Sequence, residues 1–308
     1  MITKFGKRFL TSYLSGNNLF SSKELAFGIG STTPNPKGND TKLDFEFYRV
    51  PVELSSFNIL ENGVDGDGDP IYNYFITYKS TIPQDVAGVI SEIGLYPGDR
   101  QSFNNFDSKF ITSFTNEFNW FNGSNNPVSQ TNTQDSSGTY TFLSKVSDSM
   151  IKVDVTSGQT VEYINSLISD DISGYSINDT ISIAYKKADD NVSKIRVKFY
   201  SSDLAYYYVD FTPESGTGDK IQSLSLNNLF SNYTASPNLP DPTSIIKIGV
   251  ATTASGGNTT VYFDAIRIND EDTFDPGYGL ISRSILTTPL IKKPGRPVDI
   301  EYKIQLDF

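Results

Sequence analysis

The chain has 308 residues, a formal net charge of −11 and a pI near 4.5, and it contains neither cysteine nor histidine. Disulfides, the usual zinc sites, thiol nucleophiles and histidine triads are thereby excluded. The acidic balance repels phosphate backbones and anionic lipid heads, so no nucleic-acid partner and no membrane insertion are expected.

The length suits about two domains. Tyr (18) and Phe (21) are abundant, so rings can fill a core between sheets, and an all-β protein is expected. At the start, Phe5, Phe9, Leu10, Tyr13 and Leu14 have helical spacing with basic residues between them. A short helix and an arm docking on a neighbour both fit that pattern. No apolar run of signal-peptide or membrane-span length occurs, so neither is expected. Ala26-Phe27-Gly28-Ile29-Gly30 enters the loop STTPNPKGND, but no third glycine and no helix pattern follow, which argues against a phosphate loop. Leu43, Phe45 and Phe47 alternate with Asp44 and Glu46, predicting a strand that Pro51 ends or confines to an edge. In ENGVDGDGDP, Asp65, Asp67 and Asp69 are spaced as in half an EF-hand loop, yet Ile76 stands where the closing acid belongs; an acidic hairpin tip is predicted. Tyr72, Tyr74, Ile76, Tyr78 and Ile82 then alternate as in a half-buried strand. The run Ser91-Glu92-Ile93-Gly94-Leu95-Tyr96 follows, with Gly94 marking a bulge or a close backbone approach.

After Pro97 comes a polar connector, then an Asn-rich stretch with the single tryptophan, Trp120. Short runs recur between turn formers: IKVDV, DTISIAYK, KIRVKFY, YYYVDF, SIIKIGV and VYFDAIRI. That spacing predicts a β-sandwich or jelly roll, with one helical patch in SLSLNNLF. The acidic linker DEDTFDPGYG precedes a last segment in which Val298, Ile300, Tyr302, Ile304, Leu306 and Phe308 alternate with polar residues. Such a strand requires a sheet to join.

The succession FGIGSTTP, DTKLDFEFYRVPVE, ITYKSTIP and VISEIGLYP resembles the amino-terminal attachment domain of bacteriophage tail-collar fibre and baseplate proteins. The matching residues are Gly28, Gly30, Thr33, Pro34, Glu46, Tyr48, Arg49, Glu92, Ile93, Gly94 and Leu95, with Arg283, Pro289 and Lys292 in a later strand pair. The resemblance implies a discontinuous antiparallel β-domain, residues 1–100 and 277–308, with 101–276 as an inserted β-sandwich. In that arrangement the terminal strand Val298–Phe308 lies beside SEIGLY. It further implies a non-enzymatic virion component of the tail, baseplate, collar or fibre adaptor, assembled in the host cytoplasm. Its partners would be other virion structural proteins and copies of itself in a homo-oligomer, with the N-terminal arm and KKPGRP (292–297) as contact regions.

The closing run Val261–Ile268 resembles the last strand of carbohydrate-binding-module jelly rolls. That likeness implies a structural calcium held by Asp264 with Glu117 or Asp107; pairing with Arg267 or capping a loop is the other role open to Asp264. It also implies a host-surface glycan stacked on exposed rings. The candidates are Trp120, Phe121, Tyr175, Tyr206, Tyr207 and Tyr208, for most of which core packing competes, and Trp120 fits equally as a plug that seals the edge of the sandwich. Within Tyr206-Tyr207-Tyr208, neighbouring rings must point to opposite sides of a strand. The 36 acidic residues leave a depolymerase open on composition, but no β-helix repeat is present, and a binding protein rather than an enzyme is expected.

Overall fold

The computed structural model describes residues 2–4, 6, 7, 11, 23–30, 34, 40, 42–97, 109–112, 114, 119–122, 129–132, 149–166, 168–269 and 280–306. Two compact units emerge, named by their place in the sequence: an outer unit, Met1–Ser102 with Thr273–Phe308, and an inner unit, Phe103–Asp272. Antiparallel strands build both, and among the described residues no helix is long and apolar enough to cross a membrane.

In the outer unit β1 (Lys23–Gly28) lies between β2 (Glu46–Val64) and β4 (Gly88–Pro97), and β2 also pairs with β3 (Pro70–Ile82). β2 runs straight through Pro51, where the sequence suggested an end or an edge. The reason lies in a change of neighbours. Pairing with β1 stops at Lys23↔Val52, and pairing with β3 begins at Glu53↔Lys79. At Pro51 only one side of the strand carries a ladder, so the missing N–H has a place to be tolerated. Beyond Glu53, β2 and β3 continue as a ribbon to the turn Asp65–Asp69. There the Asp65 carboxylate accepts from the N–H groups of Asp67 (2.9 Å) and Asp69 (3.0 Å). Gly94 marks a close approach: a Cβ there would sit 2.7 Å from Leu280 Cδ1 and 2.9 Å from Leu43 Cδ2.

The inner unit contains β5 (Lys109–Thr112), β6 (Trp120–Asn122), β7 (Ser129–Asn132), β8 (Ser149–Val155), β9 (Thr160–Asn165), β10 (Thr180–Lys187), β11 (Val192–Tyr200), β12 (Tyr206–Phe211), β13 (Gly218–Ser225), β14 (Tyr233–Thr234), β15 (Lys247–Ala254) and β16 (Thr259–Asn269). One sheet has the order β13-β10-β16-β8-β7 with β5 added on β16; the other is β14-β12-β11-β15-β9-β6. A single core lies between them. Ile181, Ile183 and Tyr185 enter it from one sheet, and Ile195, Val197, Phe199, Val209 and Phe211 from the other. Each aliphatic side chain taken from water there contributes about 1.5–3 kcal/mol. The period-two alternation of KIRVKFY and YYYVDF thus sends every second residue inward and the rest to the opposite face. The helix α1 (Leu226–Phe230) starts where the Ser225 side chain accepts from the Asn227 N–H, and it buries Leu226 and Leu229.

The chain then returns to the outer unit as β17 (Ser282–Lys292) and β18 (Val298–Leu306), completing the order β17-β4-β1-β2-β3-β18. The terminal strand was expected beside SEIGLY. That position belongs instead to β17, with Ser282 opposite Leu95 and Ser284 opposite Ile93, while β18 pairs with Tyr74–Ile82 of β3. The other edge of β4 is occupied by β1, so only one strand can join there, and the regular alternation of β18 falls to the open edge of β3. The sheet folds over enough for the two end strands to meet through side chains: Tyr302 Oη is 2.9 Å from Ser282 Oγ.

At the β4–β17 seam lies a buried ionic cluster. The fully buried Glu92 accepts from the Phe45 N–H at 3.0 Å and from the Arg283 guanidinium at 2.8 Å. Arg283 also reaches Asp44 at 2.9 Å and Asp40 at 3.5 Å. Burial pushes the Glu92 carboxyl above its ordinary value and Asp44 adds to the rise, against the lowering by the Phe45 N–H and Arg283. Gly28 and Gly30 make room for this carboxylate, since a Cβ at either would lie 2.6 Å from a Glu92 atom. Close approach to a carboxyl group accounts for the glycines of FGIG.

Candidate functional site

The outward face of the second inner sheet collects the polar and aromatic residues left over by the inward pattern. In β11 these are Arg196, Lys198 and Tyr200; in β12, Tyr206, Tyr208 and Asp210. The register sets Arg196 opposite Asp210, Lys198 opposite Tyr208 and Tyr200 opposite Tyr206. On the other side of β11, Ala251 and Gly249 of β15 lie opposite Arg196 and Lys198, and Ala251 also lies opposite Glu162 of β9. Four strands therefore bring one carboxylate, two cations, three tyrosines and a second carboxylate onto one surface.

These groups hold one another in place. Glu162 accepts from Tyr200 Oη at 2.7 Å and from Lys198 Nζ at 2.7 Å. Arg196 forms a two-pronged pair with Asp210, at 2.6 and 2.7 Å. The same guanidinium lies 4.0 Å from the centre of the Tyr208 ring, and Lys198 Nζ lies 4.8 Å from that of Tyr206. Such cation–ring contacts are favourable by about 0.5–2 kcal/mol. The Tyr206 ring is 4.8 Å from Tyr200 and 6.2 Å from Tyr208. Gly249 keeps the centre clear. A Cβ there would fall 2.6 Å from Glu162 Oε1 and 3.1 Å from the Tyr200 ring.

The charges follow from this geometry. The Tyr200 hydroxyl is held far above its ordinary pKa by burial first, then by its hydrogen bond to Glu162 and that group's charge. It stays a neutral donor at any physiological pH. The Asp210 hydrogen bond raises Arg196 further, fixing it as a cation. The result is a surface of locked donors and acceptors beside two rings.

Not all of the sequence candidates sit here. Tyr206 and Tyr208 do; Tyr207 turns the other way, its ring edge-on to Phe230 at 5.5 Å and its hydroxyl donating to the Pro240 carbonyl at 2.8 Å. Trp120 is 1% exposed. It packs 4.7 Å from Phe114, whose ring lies 5.8 Å from Phe263, so it seals the core. Of the two roles open to it, sugar platform and plug of the sandwich edge, the structure shows the plug: β6 pairs with β9 at the sheet edge and the indole is buried. Tyr175 is also a core residue, and Phe121 is exposed next to Trp120 on β6. Asp264 is buried on β16 at an irregularity where Ala184 opposes Ala265 and Tyr185 opposes Phe263. Glu117 and Asp107 lie outside the described residues. Among those described, no group of three or more acidic side chains gathers as a metal site. Glu162, Arg196, Lys198, Tyr200 and Asp210 were missed, although the alternation in KIRVKFY and YYYVDF contains four of them.

No family model and no curated protein matches the chain. Among solved structures, the family 11 carbohydrate-binding module of Clostridium thermocellum cellulase Lic26A-Cel5E is 15% identical. That match covers 54% of this chain and 96% of that one, with a TM-score of 0.38. The family 30 module of Cel9D-Cel44B from the same organism is 15% identical over 55% of this chain and 100% of that one, with a TM-score of 0.36. Tailspike protein 4 of bacteriophage CBA120 is 11% identical over 51% of this chain and 20% of that one, at a TM-score of 0.27. Similarity at this level leaves the binding chemistry of the face to its own residues.

Proposed function

We propose that the inner unit binds a glycan on the face of β9, β15, β11 and β12, without cleaving it. A pyranose ring has an apolar side of C–H groups and a rim of hydroxyls. Tyr206 and Tyr208 offer rings for the first, while Arg196, Lys198, Glu162 and Asp210 offer fixed partners for the second. The single observation that carries this reading is the mutual locking of those side chains, because groups already ordered lose little entropy on binding. Both face carboxylates are tied to cations, which suits recognition better than acid catalysis.

In the wider reading the outer unit is the docking part of a bacteriophage virion protein, held against other structural proteins in a homo-oligomer, and the glycan belongs to the host surface. The motif resemblance supports it. Gly28, Gly30, Glu92 and Arg283, which carry that resemblance, converge on one cluster. Titration of the full chain against a panel of bacterial surface polysaccharides tests the glycan role. Tyr206→Ala and Tyr208→Ala should each weaken binding about tenfold, the equivalent of ~1.4 kcal/mol. Flat titrations across the panel would refute the glycan reading.

A further inference from the structure

The β2–β3 ribbon carries apolar residues that the chain does not cover. Leu54, Phe57, Ile59, Leu60, Val64 and Tyr72 are all strongly exposed, from 64% for Leu54 to 42% for Tyr72. Phe57 lies opposite Ile76 and Ile59 opposite Tyr74, and both Tyr74 and Ile76 pack on the core of the outer unit. The inward-facing side of the sheet therefore continues along the arm into solvent. β18 covers β3 only from Tyr74 to Ile82, so beyond Ile59↔Tyr74 the arm is a two-stranded ribbon, marginal alone in water.

Its edge is open as well. β1 covers β2 only as far as Val52, and among the described residues no strand pairs with the far edge of β2 from Leu54 to Val64. Irregularities interrupt β2 between Leu54 and Ser56 and between Glu61 and Val64, leaving Ser56–Glu61 regular. A regular, apolar, unpaired stretch is a template for another strand.

Charge selects the partner. From Leu54 to Tyr78, the arm itself, every charged residue is acidic: Glu61, Asp65, Asp67 and Asp69; Glu53 at its base lies opposite Lys79. A second arm would set like charges together, which opposes self-pairing. We infer that the arm docks by strand addition onto a different protein, on a contact surface that is apolar and rimmed by Lys and Arg. This rests on the docking role proposed above and supplies its contact. Its test reads the arm alone, so failure here leaves the docking role to be judged by whether a chain with residues 103–272 replaced by a short turn still assembles into particles.

The full chain is titrated with a short synthetic peptide alternating Val and Lys, one alternating Val and Glu, and one with its Val and Lys in separate blocks. The alternating Val/Lys peptide should bind saturably, at least tenfold tighter than either other peptide, with amide shifts confined to the arm. Phe57→Ser with Ile59→Ser should abolish that binding at an unchanged melting temperature, since both residues are exposed. Glu61→Lys with Asp67→Lys should shift the preference to the Val/Glu peptide. Equal binding of all three peptides, or of none, would overturn the inference. So would a chain that self-associates until Phe57→Ser/Ile59→Ser makes it monomeric, because a second copy would then be the occupant.

Discussion

Replacing Arg283 by Leu gives the sharpest test of the outer unit. Arg283 is 3% exposed at its side chain and neutralises Glu92 while touching Asp44 and Asp40. Without it the fully buried Glu92 keeps the Phe45 N–H but loses its counter-ion, beside two more carboxylates. Orphaning one member of a buried pair costs about 3–5 kcal/mol. For a unit of this size a kcal/mol corresponds to several degrees of melting temperature, so a drop of roughly 10–20 °C is expected. Calorimetry of the full chain should show the outer-unit transition moving while the inner-unit transition stays. In acid the drop should shrink, because Glu92 can take up a proton in place of the lost partner. Arg283→Leu with Glu92→Leu should recover much of the loss, since an apolar pair leaves no buried charge. A single variant within about 2 °C of wild type, or a double variant worse than the single, would refute the pairing argument.

Glu92→Gln tests the sign of the carboxyl shift. The raised value of Glu92 means its stabilising contribution is fullest below the ordinary carboxyl range and is lost as pH rises through the raised value. The melting-temperature advantage of wild type over the variant should therefore fall as pH rises above the ordinary carboxyl range; an advantage growing with pH would show that Arg283 outweighs burial. Gly249→Ala should weaken glycan binding at least tenfold and also lower the melting temperature, because the added methyl pushes Glu162 off Tyr200 and Lys198; unchanged affinity would remove Glu162 from the face. Replacing residues 103–272 by a short turn should leave a soluble outer unit with its own cooperative transition, and an insoluble product would contradict two self-sufficient cores.

The alternation in β18 needed no structure to be read, because side chains on a strand alternate whatever the strand pairs with. The same holds for IKVDV and DTISIAYK, and rings and aliphatic residues at every second position were enough to mark an all-β chain. Strand TVEYIN passed unnoticed because its alternation places Val161 and Tyr163 inward beside the charged Glu162, and with it went one carboxylate of the face. Composition left Trp120 open between a sugar platform and a plug, and only the packing against Phe114 decided it.

What the sequence by itself determined is the strand content and the two-fold sorting of residues within each strand, since both depend on local geometry. Which of the two sets faces inward depends on where the opposing sheet lies. Tyr207 therefore packs against the core, and Tyr206 and Tyr208 turn to the opposite face, only because β12 took its place beside β11. The meeting of Glu92 with Arg283, 191 residues apart, likewise exists only because β17 returns to the edge of β4. Local chemistry sets periodicity, but only closure of the sheets brings distant charges within hydrogen-bonding distance.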